Sequence, residues 1–355
     1  MPGNRCITCI LIAMLLACAG CQVFGPGQPG GAADRQGLSA QIRNEIGPYT
    51  LDIAAWELNN LLSADVQDTG SGPRVTGFSD LPSNITTVLI AENITVFPQV
   101  RVKLVEPPLL LVISPRDHIA YYDRILLTPG LSVDVMVQIE EKVDALDLSS
   151  LVVQLGGFGA AYPAVVSPDM ADKHIINAVV EEWAHQYLAF RPLGFLYLID
   201  SLGLRQEPDV IVMNETLAGM MAQEIGDKVY ERYYAGTGSK EIGPAAGAFD
   251  FNREMRETRL KADGLLAAGK IEEAERYMQD RRIDFNRQGY KIRKLNQAYF
   301  AFHGIYGQDP GAVSPVYHDM LKLRKNYASL AGFIDKISGM TSYQDLGKPV
   351  SGPAE

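Results

Sequence analysis

Apolar residues near the start of the body recur at helical spacing. Ile42, Ile46, Leu51, Ala54, Ala55, Leu58 and Leu62 form such a stripe between Leu38 and Leu62, and Pro48 interrupts it, so two helices are predicted. Residues 65–80 are rich in Gly, Ser and Asp and read as a loop. Thr86 to Val100 is β-branched but alternates poorly, which leaves a strand and a short helix pair both open. Leu109–Ile113 is a buried strand ended by Ser114-Pro115, and Ile125–Leu127 is a second, closed by Pro129-Gly130. Val133–Leu146 is an amphipathic helix, with Val133, Val137, Val143 and Leu146 on its apolar face. Leu151–Leu155 is a third strand ending in Gly156-Gly157.

Helical periodicity then takes over. Asp169–Phe190 reads as one long helix stopping before Pro192, and Val210–Tyr234 as another. Arg253–Asp284 is predicted to be an αα-hairpin, with Gly269 free to take the left-handed conformation that ends a helix. Lys291–Tyr306 and Pro315–Ile337 supply the last helices. The fold class is therefore α+β, a small mixed sheet followed by a mostly helical C-terminal half. The division is an N-terminal α/β region over 38–168, a helical region over 169–347 and a tail over 348–355.

Composition changes the picture at the N-terminus. All four cysteines, Cys6, Cys9, Cys18 and Cys21, lie in the first 21 residues, so the body has neither a disulfide framework nor a cysteine metal site. Arg5 followed by the short apolar run Ile7–Ala19 has the form of a secretory signal over 1–21. Leu15-Leu16-Ala17-Cys18 resembles a bacterial lipobox, with Cys18 as the lipidated residue and Cys21 as the second candidate. The apolar run is short for an uncleaved anchor helix. Residues 22–37, with Gly25-Pro26-Gly27 and Pro29-Gly30-Gly31, then read as a flexible tether. The expectation is a lipoprotein held to the membrane by an N-terminal lipid, its body in the cell envelope outside the cytoplasm. A formal charge of −10 argues against a nucleic-acid partner.

Chemistry concentrates in Val179-Val180-Glu181-Glu182-Trp183-Ala184-His185, followed by Met213-Asn214-Glu215-Thr216. Residues four apart share a helix face, so Glu181 and His185 can reach one ion. A zinc-peptidase helix normally carries His-Glu-x-x-His; here Glu181 stands at the first histidine and Glu182 at the general base. Glu215, 30 positions after His185, lies in Asn-Glu-x-x-Ala, the form that supplies the third ligand in gluzincins. Taken singly, Glu-x-x-His and a lone histidine are common structural features.

The two halves together, with Arg191-Pro192-Leu193-Gly194, Glu224-Ile225-Gly226, Leu111–Asp117, Gly156-Gly157, Tyr162-Pro163 and Asn296–Phe300, resemble an uncharacterised bacterial family of gluzincin-like predicted metallopeptidases. That family shows His-Glu-Trp-x-His followed by Met-Asn-Glu-Thr, and the likeness covers most of the chain after about residue 38. The resemblance implies a zincin-like fold, His185 and Glu215 as ligands, Glu182 as general base and a peptide or protein substrate. Glu181 departs from it.

The departure has physical consequences. A second carboxylate neutralises a divalent ion, weakens it as a Lewis acid and moves preference from Zn²⁺ toward Mn²⁺ or Ca²⁺. With no ion, the crowded carboxyls must hold a proton. The expectations are thus a membrane-anchored metallopeptidase-like protein with activity reduced or lost, or a catalytically dead envelope lipoprotein of the same fold acting as a binding or scaffolding module. A solute-binding lipoprotein would need two clear α/β lobes, which the pattern lacks. His303 and Tyr306 are candidates for stabilising an oxyanion, against packing in a C-terminal helix. His174 lies seven residues before Glu181, about 10 Å by helix rise, too far to replace a ligand. Arg116-Asp117 reads as a local ion pair.

Overall fold

The computed structural model describes residues 32–62, 78–201, 204–205, 207–235 and 249–347. The signal segment, Cys18, Cys21, most of the tether and the tail lie outside the described residues. The first helix, α1 (Ala32–Ile46), begins inside the stretch read as tether. A 3₁₀ turn at Gly47–Tyr49, with Pro48 in its first positions, separates it from α2 (Ile53–Leu62), as the proline predicted.

The apolar run Leu109–Pro115 forms β2, the centre of an antiparallel sheet in the order β3-β2-β4, with β3 at Asp123–Leu127 and β4 at Leu148–Gln154. Leu111 pairs with Ile125 on one side and Val152 on the other. The run is continuous because both faces are covered. Leu109, Leu111 and Ile113 pack toward α1 and toward α4 (Val133–Asp144), whose buried face includes Met136, Ile139 and Val143. Val112 and Leu151 meet Ala298, Ala301 and Phe302 of α10 (Gln297–His303) on the opposite face. Buried Glu140 of α4 receives Arg293 at 2.8 and 2.5 Å and the Val152 backbone N–H at 2.6 Å, which ties helix, strand and the segment before α10 together.

A second three-stranded sheet has the order β1-β6-β5, from Val102–Leu104, Ala164–Val166 and Gly157–Phe158. Its β1–β6 pair is parallel and its β6–β5 pair antiparallel.

The main core surrounds two antiparallel helices, α5 (Asp172–Leu188) and α7 (Pro208–Val229). Both are buried for most of their length. Trp183 of α5 is 1% exposed and donates its indole N–H to Pro98 O at 2.8 Å. Between them lies α6 (Pro192–Ser201), a helix the sequence pattern did not predict: Pro192 starts it rather than merely following α5. The segment left open as strand or helix pair is α3 (Leu81–Ala91) and then an irregular stretch, with Pro82 in the first turn. The αα-hairpin is present as α8 (Phe251–Ala267) and α9 (Ile271–Arg287), and Gly269 between them has φ +72°. The predicted helix over Lys291–Tyr306 contracts to α10, capped by Asn296 accepting from Tyr299 N at 2.9 Å. The chain closes with α11 (Val316–Arg324) and α12 (Leu330–Ser338).

The architecture is thus α+β, with small sheets and a helical C-terminal half. Among the described residues, no helix is long and apolar enough to cross a membrane. Arg116-Asp117 is not the local ion pair expected. Arg116 reaches across to α9, binding Glu275 at 2.8 Å through two nitrogens, and to Asp147 at 2.7 Å; Asp117 pairs with His118 at 2.6 Å. A bidentate partner on a packed helix outweighs a sequence neighbour that cannot face the fork.

Candidate metal centre

Helix α5 is unbroken through the acidic motif, so Glu181 and His185 fall in one row. Helix α7 runs beside it and brings in Glu215, only 5% exposed. Each of the three turns one donor atom toward a shared space, and these atoms all lie within 4.8 Å of one another. His185 Nε2 is 3.4 Å from Glu215 Oε2. Two donors held by one tetrahedral ion at usual bond lengths are separated by about 3.4 Å. One nitrogen and two carboxylate oxygens therefore fit a divalent cation, the two carboxylates balancing its charge.

Neighbouring side chains orient this set. Tyr197 of α6 donates its hydroxyl to Glu215 Oε1 at 2.8 Å and stacks on the His185 ring at a centroid distance of 5.7 Å. That leaves Glu215 Oε2 facing the imidazole. The Asn214 amide lies 3.0 Å from His185 Nδ1. With the amide oxygen toward the ring, Nδ1–H donates and Nε2 keeps its lone pair for a metal; with the amide nitrogen there, Nε2–H faces Glu215 instead. Both Tyr197 and Asn214 escaped the sequence analysis. Asn214 had one signal, its position beside Glu215 in the quoted motif; Tyr197 sits on the unpredicted helix.

Glu182 is outside the three-residue group but lines the same cleft, packed against the Gly157–Gly159 turn. A Cβ on Gly157 would lie 2.2 Å from Glu182 Oε1, and one on Gly159 would lie 2.5 Å from Oε2. Only glycine leaves room for the carboxyl at either position, which gives Gly156-Gly157 a purpose beyond ending a strand.

Electrostatics follow from burial and crowding. Burial pushes Glu181 up to about 7, with His185 pulling back and Glu215 adding to the rise. Burial likewise lifts Glu182 to about 8; His185 and a backbone hydrogen bond from Gly159 oppose this, while Glu181 and Glu215 reinforce it. Burial acts to lower His185, but the charge and hydrogen bond of Glu215, together with Glu182 and Glu181, override it and raise the imidazole to about 9. Burial would raise Glu215 too; His185, the Tyr197 hydroxyl and Arg124 prevail and hold it below its ordinary value.

The three residues open onto a cleft of about 1040 Å³. Tyr306 lines it, and burial, then the charges of Glu215 and Glu181, push its phenol far above the ordinary value, so it stays a neutral donor. His303 lines the cleft as well, at the end of α10, outside the three-residue cluster. Its Nδ1 is 2.7 Å from Asp309 Oδ2 and its ring lies on Tyr299 at 4.1 Å. His174 faces the far end of the same cleft and is not among the clustered donors. Tyr121 and Arg124, neither singled out by the sequence pattern, also line the cleft. No family model, no curated protein and no solved structure matches the chain.

Proposed function

We propose that the chain is a membrane-anchored, extracytoplasmic metallopeptidase-like protein of zincin-like fold, with a variant Glu-Glu-x-x-His site and hydrolysis slower than a His-Glu-x-x-His site would give. The observation that carries the proposal is the convergence of Glu181, His185 and Glu215 from two helices on one point. The motif resemblance to the gluzincin-like family supports the choice of peptide as substrate, and the signal-like N-terminus supports the location.

A bound Zn²⁺, or Mn²⁺ or Ca²⁺ where oxygen ligation dominates, would polarise the scissile carbonyl. Glu181, His185 and Glu215 would hold the ion. Glu182 takes a proton from the attacking water and returns it to the leaving amine. Burial lifts Glu182 to about 8 in the ion-free cluster, so it is the ionised fraction, which a bound cation would increase, that takes the proton. Tyr306, kept neutral, donates a hydrogen bond to the carbonyl oxygen as negative charge grows there. His303, oriented by Asp309, is a second donor from the same wall. Glu181 sets the limit on rate: one more negative charge at the ion weakens its pull on the carbonyl.

The second reading, a catalytically dead binding or scaffolding module, is favoured by one feature. The His185–Glu215 ion pair and protons on Glu181 and Glu182 neutralise the cluster with no ion present. Metal analysis of the purified protein separates the two. Stoichiometric metal that disappears in Glu215→Ala, with slow peptide cleavage lost in Glu182→Gln, upholds the peptidase. A metal-free protein, indifferent to Glu215→Ala and His185→Ala, leaves the module.

A further inference from the structure

Five carboxyl groups face the cleft: Glu181, Glu182, Glu215, Asp227 and Asp309. Besides the histidines, two cationic side chains, Lys173 and Arg124, line it with them. Lys173 is satisfied by Asp227 at 2.8 Å. Arg124 is different. It stands on β3 with its guanidinium 5.0 Å from the centre of the Tyr121 ring, and no carboxylate binds that guanidinium among the described residues. The adjacent Asp123 accepts only the Arg124 backbone N–H, at 2.8 Å, and turns its other oxygen toward Arg43 at 3.7 Å. Arg124 lines the same cleft as Glu181, His185 and Glu215, and its charge is felt by Glu215 and Tyr197.

A half-buried guanidinium with its donors unused is costly to maintain. Its planar fork is complementary to one ligand class above others, a carboxylate bound through two parallel hydrogen bonds. The cation–π contact with Tyr121, 5.0 Å from the ring centre, consumes none of those donors. The Tyr121 hydroxyl is itself buried without a partner and adds a donor on the same wall.

We infer that Arg124 is a specificity-determining residue that binds a substrate carboxylate next to the scissile bond, so that the preferred peptides carry either a free C-terminal carboxylate or an acidic side chain there. This rests on the peptide-substrate reading above, and its test is a binding measurement independent of hydrolysis.

The probes are acetylated alanine tripeptides, one with a free C-terminal carboxylate and one amidated, and a second amidated pair carrying Asp or Asn at the middle position. Binding to the mature full-length protein is measured by calorimetry, with Zn²⁺ and in chelator, for the unaltered chain, Arg124→Gln and Arg124→Lys. The carboxylate-bearing member of at least one pair is expected to bind tenfold or more tightly than its neutral partner. That preference vanishes in Arg124→Gln and is partly kept in Arg124→Lys, which retains charge but not the fork. Preference in the first pair alone identifies the C-terminus; preference in the second identifies an acidic side chain.

Equal binding of acid and neutral probes, or a preference that survives Arg124→Gln, overturns the inference. So does absence of binding by all four probes, which also removes the peptide-substrate reading. Carboxylate preference without cleavage sinks the peptidase while sustaining Arg124's role, and cleavage without preference does the reverse. Were Arg124 only an electrostatic support for Glu215, Arg124→Gln would tighten metal binding and leave the acid-to-neutral ratio unchanged. The comparison within each pair is made on the unaltered protein, so a folding defect in a variant does not blunt it.

Discussion

Loading a divalent cation into this cluster must expel protons, and the number expelled can be worked from the site. Metal ligands bind as the bare imidazole and carboxylate. At pH 7 a His185 raised to about 9 carries its proton almost fully, a Glu181 raised to about 7 is half protonated, and a Glu182 raised to about 8 is mostly protonated. Glu215, held below its ordinary value, has none to lose. Of the three ligands, His185 gives up its proton and Glu181 about half of one, so about one to two protons should leave per ion bound. The apparent affinity should then rise by about 10- to 100-fold per pH unit around neutrality. Calorimetric titration with Zn²⁺ in buffers of different ionisation enthalpy counts the protons directly. His185→Ala should weaken binding and remove about one of them. An affinity that is flat between pH 6 and pH 8, or a proton count near zero with tight binding, would refute the assignment of these three groups to the ion.

Four further outcomes are expected. Gly157→Ala places a methyl on the Glu182 carboxyl, so cleavage should be lost and stability fall by about 1–3 kcal/mol while metal content is kept, as read by metal analysis beside thermal melting. Glu181→His should raise affinity for Zn²⁺ relative to Mn²⁺ and Ca²⁺ and speed peptide cleavage; unchanged ion selectivity in competition titrations would count against Glu181 as a ligand. Trp183→Phe leaves the Pro98 carbonyl without its buried donor and should lower stability by about 1–3 kcal/mol in urea unfolding. Buried Glu57, lifted by burial to about 7 with Lys103 pulling back, stabilises the fold fully below its ordinary value and loses that contribution as pH rises through about 7, so Glu57→Gln should flatten the melting-temperature profile across that interval.

Elements with a strong local signal were legible in the chain. The α5 motif is one: uninterrupted periodicity over Asp172–Leu188 fixed the row of Glu181 and His185 before any packing was known. The turn at Gly269 is another, because a left-handed residue between two polar helices has few substitutes. What stayed hidden depended on partners distant in sequence. Val, Ile and Thr in Leu81–Ala91 carry a β preference, which burial of Leu81, Ile85, Val88 and Leu89 in the main core overrides. Pro192 has the same local meaning whether it stops one helix or starts the next, and taking it only as a stop hid Tyr197. Arg124 lies one residue before the strand predicted at Ile125, and its role comes only from pairing β3 with β2 and turning that face to the cleft.

An acid at position 181 changes how a cation-loaded cluster would reach neutrality. A site with two imidazoles and one carboxylate leaves a divalent ion with one positive charge in excess, which is available to polarise a carbonyl. Here Glu181 and Glu215 would cancel such an ion, and Glu182 stands nearby as a further acid. Arg124 is the cation, among the described residues lining the cleft, that remains unpaired to offset that excess. Its effect on the ion opposes that of Glu181, since positive charge beside Glu215 loosens a cation rather than holding it. A substrate carboxylate seated on Arg124 would cancel that opposition, so ligand and ion should each tighten the binding of the other by the same factor. The cluster and Arg124 would then act on one another through charge, with no movement of backbone required.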